Sequence, residues 1–347
     1  MRHTINLSAA LMFAAPAWSH HSDAGLDMDS VVSLEGVVTE YSMRNPHTYF
    51  TVEAPNANGE RVEWTIQMSS AISLARRGWT RDSLLVGDRI SATVHAAVDG
   101  RPYGLLASIE KEGGIVLEAS RDRATGEPEP IRITATESTD TLEGIWMADS
   151  SELVSYPGGF DGFFRAELRL TEQGAAAQAA YDSFSAENPE AQCIGRPTPA
   201  MIISSNLFPL QIEINEEQQV VVIRIAFWDE ERTVYMDGRS HPDASERFHS
   251  GHSIGWWEGE TLVVDTTNFT DHRSPYQIGV PSGAQKHVVE RYRLIENGTR
   301  ISAEFVLEDP EFIAEPLTHS RELIYTPQME IASYDCDPEA ARRFLLR

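Results

Sequence analysis

The side chains best suited to chemistry cluster on two strand pairs near the C-terminal end of the chain. Within residues 252–265, His252 and Asp265 bracket two apolar runs joined at Glu258-Gly259. An X-Gly pair between such runs predicts a two-residue β-turn, and that loop length fixes the register. Counting outward from Glu258-Gly259 sets His252 opposite Asp265, on the face that also carries Ile254 and Trp256. A carboxylate beside an imidazole fixes its tautomer and raises its basicity, as a general base or a metal site requires. The same pair also serves as an ordinary cross-strand contact.

Asn297-Gly298 is the strongest turn signal in the chain and pairs residues 287–294 with 301–308. One face of that hairpin carries His287, Arg291, Glu304 and Glu308. The other carries Val288, Glu290, Tyr292, Leu294, Ile301, Ala303, Phe305 and Leu307, and is the expected interior. Glu290 on an apolar face must either meet a cation or take a raised pKa. In the alternative, enzymatic reading of the same cavity, His252 is general base, Asp265 its orienter, Glu290 proton donor and Tyr292 hydrogen-bond donor. Ile254, Trp256 and Phe305 are expected to contact a small ligand. Proton transfer, hydration or elimination suits this set. In Gly251-His252-Ser253-Ile254-Gly255 the serine is central, but no helix follows, so no nucleophile elbow supports a hydrolase. His241, His249 and His272 lie in nearby loops and read as solvated.

A second chemistry is offered near residue 20. Arg2, an apolar stretch over residues 7–18 and small residues at Ala15, Ala17 and Ser19 read as an export signal over residues 1–19. Cleavage after Ser19 leaves His20 first and His21 second, whereas cleavage after Ala17 leaves His20 third. A terminal amine with imidazoles at that spacing suits Cu(II), with His47 as a further ligand. Cu(II) at His20, His21 and His47 is therefore the candidate cofactor, the other reading being a polar leader left by an incidental cut. Export places the protein in the periplasm or outside the cell. There Cys193 and Cys336, the two cysteines of the chain, are candidates for one long-range disulfide.

Positioning these groups requires a β framework. A chain of 347 residues suits two domains or one large β-domain. The net charge of -25 argues against nucleic-acid phosphates or an anionic membrane as partners. No segment after the signal is apolar and long enough to span a bilayer. A small molecule is the expected partner, and the oligomeric state stays open. Strand-like runs at 34–41, 48–53, 61–66, 89–94 and 103–109, with a helix at 70–77, follow the order of a small OB-type barrel. Residues 20–112 form this expected domain, and residues 113–139, rich in Gly, Pro and Thr, the linker. Residues 140–347 are expected to form a larger, lipocalin-like antiparallel β-barrel able to hold one small apolar or amphipathic ligand. The fold class is mainly β. Thr171 is the expected cap of a helix running to about residue 184.

His20-His21-Ser22, Asn45-Pro46-His47, Arg76-Arg77-Gly78-Trp79 and Gly87-Asp88 resemble the DUF6152 family of exported bacterial proteins of unknown function. Tyr235-Met236-Asp237-Gly238-Arg239-Ser240-His241-Pro242, Gly251-His252-Ser253-Ile254-Gly255-Trp256-Trp257-Glu258-Gly259 and Leu262-Val263-Val264-Asp265-Thr266-Thr267-Asn268-Phe269 resemble a second uncharacterised exported module. Together the two likenesses cover most of the chain beyond residue 19. They imply export and a two-module layout, and carry no established activity.

Overall fold

The computed structural model describes residues 26–27, 30–56, 58–112, 115–118, 133–149, 156 and 159–345. The expected signal segment, His20, His21 and most of the linker lie outside them.

The first barrel uses β1 (Val32–Ser42), β2 (Tyr49–Pro55), β3 (Arg61–Gln67), β4 (Arg89–Ala96) and β5 (Tyr103–Lys111). The sheet order is β3-β2-β1-β4-β5, closed by β3 against β5, with β6 (Ile115–Glu118) added beyond β5. That is the OB-type order expected from sequence. Alternation is clearest in β4, where Ile90, Ala92 and Val94 are buried while Arg89, Ser91 and Thr93 are not. Helix α1 (Ala71–Ala75) follows β3, and the Ser70 hydroxyl caps it by accepting from the Ser73 N–H.

The second barrel is a closed ring of nine strands in the order β10-β11-β12-β13-β14-β15-β7-β8-β9. They are β7 (Gly144–Ala148), β8 (Leu210–Asn215), β9 (Val220–Ile225), β10 (Glu230–Tyr235), β11 (His252–Glu258), β12 (Thr261–Thr267), β13 (His287–Ile295), β14 (Arg300–Glu308) and β15 (Leu317–Tyr325). All neighbours are antiparallel except β10 and β11, which pair in parallel after residues 236–251 carry the chain back along the barrel. Helices α2 (Gly159–Glu167), α3 (Glu172–Ala180) and α4 (Ala200–Ser204) fall between β7 and β8. The Thr171 hydroxyl caps α3, but the helix stops at Ala180, because Tyr181 turns extended.

The β13–β14 hairpin has the expected register, with Leu294 opposite Ile301 and His287 opposite Glu308. The β11–β12 register differs. Glu258 pairs with Thr261, so the turn is Gly259-Glu260 and His252 faces Thr267, while Ile254 faces Asp265. Gly259 has φ +63° and takes the first central position, where a primed turn of this type wants glycine. Placing the glycine second shifted every predicted pair by two residues. Such a shift preserves the face, so His252, Ile254, Trp256 and Asp265 still share one side of the sheet.

That side is the outside of the barrel. Ser253, Gly255, Leu262, Val264, Thr266, Glu290 and Tyr292 point inward and are buried. The lumen holds α4, all of whose residues are buried. Thr198, just before α4, donates to Glu290, and Arg321 on β15 donates to the Ile203 carbonyl. Part of the expected lipocalin-type interior is therefore taken up by the chain itself. A disulfide joins Cys193 to Cys336, with Cα atoms 5.9 Å apart.

Candidate functional site

Three groups of ionisable side chains surround one end of the second barrel. The first runs along its outer surface. His252 Nδ1 lies 3.0 Å from His241 Nδ1, and His241 Nε2 lies 3.1 Å from Asp265 Oδ1. The same carboxylate oxygen lies 3.0 Å from His287 Nε2, whose Nδ1 is 3.4 Å from Glu308. A carboxylate only accepts, so His241 donates through Nε2 and, when neutral, accepts from His252 through Nδ1. His287 faces a carboxylate at each nitrogen, an arrangement that favours the imidazolium.

The hydrogen bond to Asp265 raises the His287 pKa, outweighing partial burial. Burial pushes the Asp265 carboxyl up, but hydrogen bonds and charge from His287 and then His241 leave it below the ordinary carboxylate value. Burial, then His241 and Arg239, lowers His252. The Tyr235 ring stacks on His252 with centroids 5.2 Å apart.

These shifts carry a stability statement. A raised His287 contributes stability present below its unfolded pKa of 6.5 and lost as pH rises through its folded value. A depressed Asp265 contributes stability present above 3.8 and lost as pH falls through its folded value. Asp265→Asn is expected to move the His287 titration, followed by ring-proton NMR, to lower pH. An unmoved midpoint would show that the carboxylate does not set the charge of this imidazole.

The second group lies inside the barrel. Arg232 Nη2 sits between the Glu290 carboxylate oxygens, 2.7 Å from Oε1 and 2.6 Å from Oε2. Thr198 and Tyr292 donate to Oε1 at 2.7 and 2.9 Å. Arg232 Nη1 donates to Ser253 and Thr266 at 3.3 and 3.1 Å. Burial opposes the Arg232 charge, and Glu290 more than restores it. The cation required for Glu290 is thus supplied by β10, and the acid is held as an ion pair.

The third group lies at the barrel mouth. A cavity of about 610 Å³ opens between α3 and the loop that joins β12 to β13. Ala177, Phe269, Pro281 and Phe312 give it apolar walls, and Arg247, Arg273, Asp271 and Glu311 line it with charges of both signs, Arg273 being paired with Glu187 at 2.6 Å. Beside it, Lys286 is 1% exposed, with Nζ 4.3 Å from the Phe269 ring centroid and 5.1 Å from that of Tyr276. Burial lowers its pKa to about 7 despite the charges of Asp309, Glu230 and Glu290.

The barrel wall divides the residues singled out from sequence. His252, Asp265, Ile254 and Trp256 lie outside, with Trp256 40% exposed, whereas Glu290, Tyr292 and Phe305 are sealed in the lumen. His47 lies between β1 and β2 with its ring near Tyr49, and its expected copper partners fall outside the described residues. Three loop histidines expected to be solvated are engaged. His241 bridges His252 and Asp265, and His249 lies 2.6 Å from Glu230. His272 is buried, donating to the Gly195 carbonyl while accepting from the Ser274 N–H; burial drives its pKa down to about 3. Lys286 and Asp309 were missed, although only two of the 28 basic side chains in the sequence are lysines. That scarcity was the available signal.

Fold and site together define a mainly β protein of two closed barrels in tandem, with the three groups of ionisable side chains described above near one end of the larger barrel. Residues 9–107 match the model of DUF6152, a family of unknown function, and the match falls on the first barrel's part of the chain. No curated protein and no solved structure matches the chain.

Proposed function

We propose that this is an exported binding protein that holds a small amphipathic molecule in the cavity at the mouth of its second barrel. The observation that carries this reading is the cavity itself: aromatic and small apolar walls beside arginines, in a volume suited to one small ligand. Apolar walls take the body of the ligand, and the mixed charges of Arg247, Arg273, Asp271 and Glu311 meet a polar end. In this reading the binding place is at the rim of the barrel, not on its axis. Export is supported by the Cys193–Cys336 disulfide, a bond that persists in oxidising compartments.

A single substitution tests the reading. Ala177 lines the cavity from α3 and is only partly buried, so Ala177→Trp fills the space with little disturbance to the core. The variant is expected to bind an apolar fluorescent anion at least about tenfold more weakly than wild type, ~1.4 kcal/mol. The same affinity in a folded variant would place the binding elsewhere and overturn the proposal.

A further inference from the structure

The two lysines of the chain differ sharply in setting. Lys111 is at the surface, 2.6 Å from Asp88. Lys286 is fully buried immediately before β13, and its Nζ has no hydrogen-bond partner among the described residues. Three more buried polar atoms in this region also lack such partners: Asp309 Oδ1, Ser282 Oγ and the Tyr276 hydroxyl. Lone buried polar atoms are costly, and these are linked: Lys286 Nζ is 5.1 Å from the Tyr276 ring centroid, and the Asp309 charge acts on both Lys286 and Tyr276.

Connections tie this group to the cavity. Phe269, whose ring carries the Lys286 amine, is a cavity wall, and Ser282 and Gly283 line the cavity as well. Asp309 lies directly under that lining. Its Oδ2 accepts from the Gly283 N–H at 2.7 Å, and a Cβ on Gly283 would come within 2.2 Å of Oδ1. Asp309 is thus held against the turn at Gly283, which lines the cavity and lies three residues before Lys286.

We propose that Lys286 captures a carbonyl compound: an aldehyde or ketone group on the molecule held in the cavity condenses with Nζ to form a protonated imine. This rests on the reading of the cavity as a binding site. The amine lone pair forms the C–N bond while the carbonyl π electrons move to oxygen, which takes the proton lost by nitrogen. The resulting hydroxyl leaves as water with a proton from the Asp309 carboxyl, and the nitrogen lone pair closes the C=N bond. The iminium then faces the Asp309 carboxylate, and water reverses the sequence. An amine removed from water is kept in its nucleophilic, uncharged form, the usual means of activating a lysine for imine chemistry. Burial acts in that sense on Lys286 and also raises the pKa of Asp309, which favours the protonated donor. Arginine would not serve, since its guanidinium is always charged. Because Nζ is shielded from solvent, the carbonyl reaches it as the turn at residues 282–284 lifts.

The test uses the full folded chain with hexanal and sodium cyanoborohydride, which reduces an imine to a stable secondary amine. Peptide mass spectrometry is expected to find one hexyl group on Lys286, lost in Lys286→Met. The wild-type map alone is decisive if that variant does not fold. Modification of Lys111 with Lys286 untouched until the protein is denatured would overturn the proposal. Binding of the apolar fluorescent anion is measured on the same samples. Anion binding without a Lys286 adduct removes the imine and leaves the binding site, whereas loss of both removes the site as well.

Discussion

Glu290→Ala is expected to lower the unfolding free energy of the second barrel by about 3 to 5 kcal/mol, because it leaves a buried charge without its partner. Arg232 is inside the lumen, and its Nη2 has Glu290 as its anionic partner. Removing the carboxylate also strands the Thr198 and Tyr292 hydroxyls that donate to it. The informative comparison is Arg232→Met with Glu290→Leu. If the pair is architecture, the double variant is more stable than Glu290→Ala, since no buried polar charge is left unmatched. Urea unfolding followed by tryptophan fluorescence reads both. A Glu290→Ala midpoint equal to wild type would mean that solvent reaches Arg232, contrary to the packed lumen.

The faces of the strands were legible in sequence, and the contents of the barrel were not. Alternation in residues 287–308 placed Glu290 inside because an antiparallel hairpin with a defined turn leaves little freedom. The β11–β12 hairpin showed the limit: Gly259 satisfies either central turn position on composition, and only its positive φ decides. Strand β15 escaped notice because His319 and Arg321 interrupt its inward row of Leu317 and Leu323. Arg321 is tolerated there because α4 offers it a carbonyl. The apolar run of α4 is five residues long, too short for periodicity to separate helix from strand. The histidine relay depends on His241, which reaches Asp265 from a loop, and contacts of that kind have no sequence period.

Replacing both cysteines with serine is expected to lower stability by about 2 to 5 kcal/mol, the range for a disulfide closing a long loop. The bond spans 143 residues and ties the turn near Cys193 to the C-terminal tail. That tail is one clamp between the barrels, beside the Arg76 side chain, which donates to the Leu207 carbonyl. Arg44 pairs with Asp337, the Asp337 N–H donates to the Asn45 carbonyl at 2.8 Å, and Arg343 lies 2.5 Å from Glu40 on β1. Phe344 and Ala340 are buried in a small core with Tyr49 and Tyr103 of the first barrel and Ala191 beside the disulfide. Losing the bond therefore acts twice, by enlarging the unfolded ensemble and by freeing one end of the clamp. The serine variant is expected to be cut by protease between β15 and residue 340 under conditions in which wild type resists. The two barrels should then melt in separate steps. A variant with an unchanged midpoint and an unchanged cleavage pattern would show that the tail's polar contacts and small core hold the barrels together without the covalent bond.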